Sequence, residues 1–161
     1  MVLNKDWYVG RALDNRAGGF MIAEVVRMVH ENKVKLPFGL YITNSVQEEI
    51  GLRGAQMIAE RLQPDVAIVT DVTHCTHTPM LNKIEQGDTA AGKGPSVTYG
   101  PAVQNNLLQR IIDTADKNKI PFQRQAASRF TGTDTDAFAY SNQGVPSALI
   151  SLPLRLSLIH I

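Results

Sequence analysis

The chain has 161 residues, 16 lysines and arginines against 15 aspartates and glutamates for a net charge of +1, and 43% hydrophobic residues. That length fits one domain of about 150 residues, and the balanced charge excludes the clustered basic excess that nucleic-acid binders rely on. The one cysteine, Cys75, excludes an intrachain disulfide and fits a reducing, cytoplasmic setting. The opening residues lack the apolar core of a secretory leader, and the longest uncharged stretch, Ala137 to Leu154, is broken by Asn142, Gln143, serines and two prolines. Neither export nor a membrane span is expected.

Between Asp14 and Lys33, Ile22, Val25, Val26 and Val29 recur at helical spacing behind an aspartate able to cap the first turn, which predicts a helix. Pro37 then opens FGLYITN, a strand-like run of aromatic and β-branched residues. After the polar step VQEE comes a second helix, with Ala55, Ile58, Ala59 and Leu62 on one face and Pro64 as its stop. DVAIVTD reads as a strand ending at Asp71 and buried on both faces, as a parallel sheet prefers.

From Val72 to Gly100 only SVTY looks strand-like, and an excursion of that length in a compact domain tends to carry function. A third helix is predicted from Ala102 to Asn118, with Val103, Leu107, Ile111 and Ala115 as its stripe. PFQRQAA reads as a strand, the loop RFTGTDTD leads into a short helix, and VPSALISL closes the pattern as a final strand. This alternation predicts an α/β fold of three layers (α/β/α), a mostly parallel mixed sheet with helices on both faces. Its crevice would lie at the carboxyl ends of the strands.

Four acids fall where that architecture places its crevice: Asp14 at a helix start, Glu48 and Glu49 beyond FGLYITN, and Asp71 at the tip of DVAIVTD. Charged oxygens are the ligands that hard and borderline divalent cations need. Each acid also has an ordinary explanation, since an aspartate at a helix start is usually a cap and an exposed glutamate pair is usually only solvated.

Six segments add context: LDNRAGG (Leu13 to Gly19), VQEEIGLRGA (Val46 to Ala55), DVTH (Asp71 to His74), GKGP (Gly92 to Pro95), GTDTDAFAYS (Gly132 to Ser141) and GVPSALISLPLR (Gly144 to Arg155). In order and spacing they resemble the tetrahedral, deblocking and glutamyl aminopeptidase family, cytosolic di-metal exopeptidases of which some members were named endoglucanases. The resemblance implies that Asp14 bridges two divalent metal ions (zinc, cobalt or manganese), that Glu49 binds one and Asp71 the other, and that Glu48 is the general base. It also implies peptide substrates and a homo-oligomeric full-length protein. A water shared by two cations has a lowered pKa, and a neighbouring carboxylate can take its proton, so the chemistry agrees with these roles.

The family pattern also calls for two histidine ligands, one upstream of the first motif and one just after the PLR segment. Here Leu158 stands at the second position and His160 lies two residues later. Residues 1–155 therefore resemble an incomplete catalytic domain, its carboxy-terminal half, and residues 156–161 a tail that departs from the pattern. Two other readings stand beside the aminopeptidase: a catalytically silent α/β fragment, and a glycoside hydrolase using the Glu48–Glu49 pair. The latter conflicts with the 5–9.5 Å or so that must separate two carboxyls flanking a sugar bond.

Three decoys resolve simply. Gly87 to Gly94 nearly spells a phosphate loop, but Gly94 replaces the metal-binding hydroxyl and Pro95 follows. His74-Cys75-Thr76-His77 lacks the paired spacing of a metal site and reads as crevice lining or packing. Val34 stands where His30-Glu31 would need a second histidine, leaving His30 as a solvent-facing residue at a helix end.

Overall fold

The computed structural model describes residues 2–3, 5–79 and 81–155. The tail at 156–161, with Leu158 and His160, lies outside the described residues. In chain order the elements are β1 (Val2–Leu3), β2 (Trp7–Tyr8), α1 (Leu13–Glu31), α2 (Arg53–Leu62), β3 (Ala67–His74), α3 (Lys83–Gln86), β4 (Ser96–Tyr99), α4 (Asn105–Lys117), β5 (Gln123–Ala126), α5 (Asp134–Ala139) and β6 (Ser147–Leu154).

The main sheet has the order β3-β6-β4-β5. β3 runs parallel to β6 and β4 parallel to β5, while β4 meets β6 antiparallel, so the sheet is mixed as expected. Because successive side chains alternate across a sheet, the register assigns the two faces. Thr70, Ile150 and Val97 share one face, and Asp71, Ser151 and Ser96 share the other.

On the first face Val97 packs with Val103, Leu108 and Ile112 of the α4 region, and the Thr70 hydroxyl donates to the Gly18 carbonyl of α1. On the second face Ala67 clusters with Ala55 and Ala59 of α2, Phe138 of α5 and Val145. The small side chains at Ala55, Ala59 and Ala148, all fully buried, let these layers approach closely. Three layers result, in agreement with the predicted fold class. Among the described residues no helix is long and apolar enough to cross a membrane.

Several local expectations are corrected. FGLYITN forms no strand. A strand exists only through a ladder of hydrogen bonds, this run has no paired neighbour in the described sheets, and Phe38, Leu40, Tyr41 and Ile42 stay exposed. β3 lies at the sheet edge rather than buried on both sides, leaving Ile68 54% exposed, and it continues past Asp71 to His74.

The helices also differ in detail. The apolar stripe of α1 is half covered, because Val25 and Val26 remain exposed. α4 starts at Asn105 because the Gln104 side chain accepts from the Leu107 N–H, and the residues it buries are Leu108 and Ile112 instead of Leu107 and Ile111. The short hairpin of β1 with β2 and the single turn of α3 carry too little periodicity to be read from sequence.

The long excursion is pinned down rather than loose. The Gln123 amide bonds the backbone of Ala90 and the Gly94 carbonyl, and Gln125 joins Thr73 to Ser96. Cys75 is buried, and its sulfur accepts from the Ala91 N–H. His77 pairs with Asp88 and Lys83 at the surface, and His30 is exposed, as read above. Gly94 of the near phosphate loop packs so tightly that a Cβ there would meet the Pro121 carbonyl oxygen at 2.2 Å.

Leu108, only 1% exposed, is the largest fully buried side chain among the described residues and the anchor of α4. Leu108→Ala should cost about 2–5 kcal/mol in urea unfolding, with the slope of the transition unchanged.

Candidate active site

The first acid is positioned by its neighbour. Asp14 and Asn15 have non-helical backbone angles, and the peptide bond between them is cis. The side chain that serves the start of α1 is that of Asn15 rather than Asp14: its Oδ1 accepts from the Gly18 N–H, three residues on, at 2.9 Å, where the helical angles have resumed. The same side chain donates through Nδ2 to the Thr70 carbonyl at 2.9 Å, tying the helix start to β3 one residue before Asp71. Gly18 makes this possible, since a Cβ there would lie 2.4 Å from Asn15 Oδ1.

The two glutamates sit on a turn folded back onto α2. The N–H groups of Gly51 and Leu52 donate to the Glu48 carbonyl at 3.1 and 3.0 Å, Arg53 N–H to the Gln47 carbonyl, and Gly54 N–H to the Val46 carbonyl at 2.9 Å. Gly54 is required there, because a Cβ would meet the Val46 carbonyl oxygen at 2.3 Å and its nitrogen at 2.5 Å.

Asp71 is 7% exposed, and its Oδ1 accepts from the Val72 N–H at 2.7 Å. Burial pushes its carboxyl up to about 6, helped by the charges of Asp14, Asp134 and Glu49 and opposed by the Val72 bond. Burial likewise pushes Glu48 up to about 7, with Asp71, Glu49, Asp134 and Asp14 each adding repulsion. The fold thus brings all four sequence-predicted acids into one electrostatic neighbourhood. It adds a fifth, Asp134, whose own carboxyl is raised by burial against a bond from Ser45.

Asp134 had a faint signal: it lies in the GTDTD loop, but two acids among threonines before a short helix look like capping residues. Asp136 does fill such a role, accepting from the N–H groups of Thr131 and Gly132.

Carboxylate oxygens are the right donors for divalent cations, and mutual repulsion is the penalty expected of acids gathered to hold positive charge. Among the described residues, however, no three histidine, cysteine, aspartate or glutamate side chains stand close enough together to hold an ion. The acids are assembled around a common field but not closed onto a point.

Comparison with known proteins decides the family. The profile of the M42 glutamyl aminopeptidases matches residues 1–160. The chain belongs to this family. It is 36% identical over 143 residues to a lysyl aminopeptidase of Pyrococcus furiosus, covering 89% of this chain and 39% of that protein. Its fold matches the crystal structure of a TET aminopeptidase from a marine-sediment archaeon, Thaumarchaeota archaeon SCGC AB-539-E09, with a TM-score of 0.84 and 33% identity over 91% of this chain and 41% of the other. It also matches PhTET1-12s, a dodecamer in its asymmetric unit, with a TM-score of 0.74 and 25% identity. The chain therefore spans about two fifths of the length of such relatives.

Removal of the Asn15 side chain deletes both the cap and the tie to β3, so Asn15→Ala should lose about 1–2 kcal/mol of stability in urea unfolding. Gly54→Ala should cost about 1–3 kcal/mol by forcing Val46 away.

The raised acids also predict a pH dependence. Folded Glu48 and Asp71 hold protons more tightly than their unfolded forms, whose values lie near 4.5 and 3.8. The folded state therefore gains stability as pH falls through about 7 and 6, and loses it as pH rises through the same window. In chelator the urea midpoint should be higher at pH 5.5 than at pH 8, and Glu48→Gln should shrink the difference.

Proposed function

We propose that this chain carries the acidic residues of a metal-dependent aminopeptidase that releases amino-terminal residues from peptides. Residues 1–155 are then part of its catalytic domain and residues 156–161 a divergent tail. The observation that carries this reading is the convergence of Asp14, Glu48, Glu49, Asp71 and Asp134, from separate segments, into one neighbourhood where burial first, and the charges of the other acids second, raise the proton affinity of Glu48 and Asp71.

In this reading Asp14, Glu49 and Asp71 would hold two divalent ions, zinc, cobalt or manganese, with Asp14 shared between the two sites. When bound, such ions acidify a water and polarise the scissile carbonyl. Glu48 acts as the general base: held by the turn before α2, its carboxylate accepts the proton of the attacking water and returns it to the departing amine. The low-exposure position of Asp71 strengthens its interaction with positive charge.

The dodecameric PhTET1-12s supports a homo-oligomeric assembly for the complete protein. The single cysteine fits a cytoplasmic setting. A second reading, a catalytically silent fragment, is favoured by the lack of three donors at ligand distance among the described residues.

Metal analysis and aminoacyl-nitroanilide hydrolysis separate the roles and the readings. In the chain extended to the length of its relatives, Glu48→Gln should lower turnover by about 10²–10⁴-fold while keeping its metal, whereas Glu49→Gln should lose metal. Equal metal loss in both variants would exchange or void the assignment. The 161-residue chain alone should bind divalent ions weakly and turn over no substrate. Measurable hydrolysis, abolished by chelator and restored by zinc, cobalt or manganese, would overturn the silent-fragment reading.

A further inference from the structure

We propose that Ser45 and Asp134 form a latch that sets the position of the Glu48–Glu49 turn, which makes Asp134 a positioning residue of the site. The inference rests on the roles given above to the two glutamates. Its basis is a hydrogen bond from Ser45 Oγ to Asp134 Oδ2 that spans 89 residues of sequence.

The turn carrying the glutamates is secured on one side only by its own backbone. The bonds from Gly51, Leu52, Arg53 and Gly54 fix it to the start of α2. Upstream, residues 38–45 belong to no strand, and no ladder among the described residues holds the incoming chain. Ser45, three residues before Glu48, supplies the missing attachment, and it attaches to α5, which packs against α2 and also against β3 and β6. The latch therefore relates the glutamates to the sheet that carries Asp71.

Asp134 is presented from a stiff base. Thr133 caps α5 by accepting from the Thr135 N–H, Thr135 is fully buried, and the Asp136 carboxylate gathers the N–H groups of Thr131 and Gly132. Stability alone does not account for an aspartate here. The helix already has its cap, burial raises the Asp134 carboxyl, and its Oδ1 is buried with no hydrogen-bond partner among the described residues. An unpaired buried acceptor costs stability, so the side chain is retained for what its other oxygen holds.

Hydrogen exchange on the full chain, followed by mass spectrometry, tests the latch without reference to activity. Ser45→Ala and Asp134→Ala should each speed exchange across residues 46–54 by about tenfold, the equivalent of one lost hydrogen bond, while α4 keeps its protection. Ser45→Thr keeps the hydroxyl and Asp134→Asn keeps an acceptor, so both should exchange like the parent chain. In the chain extended to the length of its relatives, cobalt(II) titration read by visible absorption should weaken roughly 10–100-fold in the two alanine variants and remain unchanged in Ser45→Thr.

Unchanged exchange in both alanine variants overturns the proposal. So does an Asp134→Asn variant that exchanges as fast as Asp134→Ala, which would show that charge and not the hydrogen bond matters. If the extended parent chain gives no cobalt spectrum, the metal reading fails while the exchange experiment still decides the latch.

Discussion

The parallel pairing of β3 with β6 is the constraint on which the rest of the site depends. Its eight-residue register, from Ala67 opposite Ser147 to His74 opposite Leu154, fixes which side chains face α1 and which face α2 and α5. Thr70 then offers its hydroxyl and its carbonyl to the start of α1, and Asp71, one residue on, faces the opposite layer. A slip of one residue would turn Asp71 toward α1 and Thr70 toward α5, because alternate side chains leave a strand on opposite faces. Both the anchor for Asp14 and the fifth acid beside Asp71 would be lost.

Around that ladder the fold spends stability to concentrate charge. Glu48 and Asp71 are carboxyls whose ordinary ionisation is suppressed by burial and by the charges of the acids around them. The aspartate and glutamate positions are held by unusually tight local geometry: Gly18 under the Asn15 side chain, Gly54 against the Val46 backbone. Such features are what a fold retains for a site rather than for its core, since apolar or amide replacements would be better for packing. They give physical content to membership in the M42 family, beyond the similarity of sequence.

The same arrangement accounts for the exposed apolar surface. β3 is an edge strand with Ile68 and the preceding Val66 in solvent, and the unpaired run Phe38, Leu40, Tyr41 and Ile42 is exposed as well. Among the described residues that run has the composition of a buried strand but no ladder partner. The relatives matched are more than twice as long as this chain.

How much of this was legible in the sequence follows from the range of each interaction. Helical periodicity and turn signals are local, so α1, α2, α4, α5 and the strands β3, β4, β5 and β6 were readable from nearby residues, with the α/β class that their alternation implies. The acids Asp14, Glu48, Glu49 and Asp71 were readable as candidates because their motifs recur in one order and spacing. Whether FGLYITN pairs, whether β3 is central or at an edge, and whether Asn15 or Asp14 caps α1 depend on partners brought in from far along the chain. Asp134 shows the limit most clearly. In sequence it is one more acid before a short helix, and only the packing of α5 against α2 and β3 brings it to Ser45 and into the field of Glu48 and Asp71. Local patterning determined the elements and the chemistry available to them; tertiary packing decided which charges meet, because electrostatic and hydrogen-bond energies depend on distances that no spacing along the chain records.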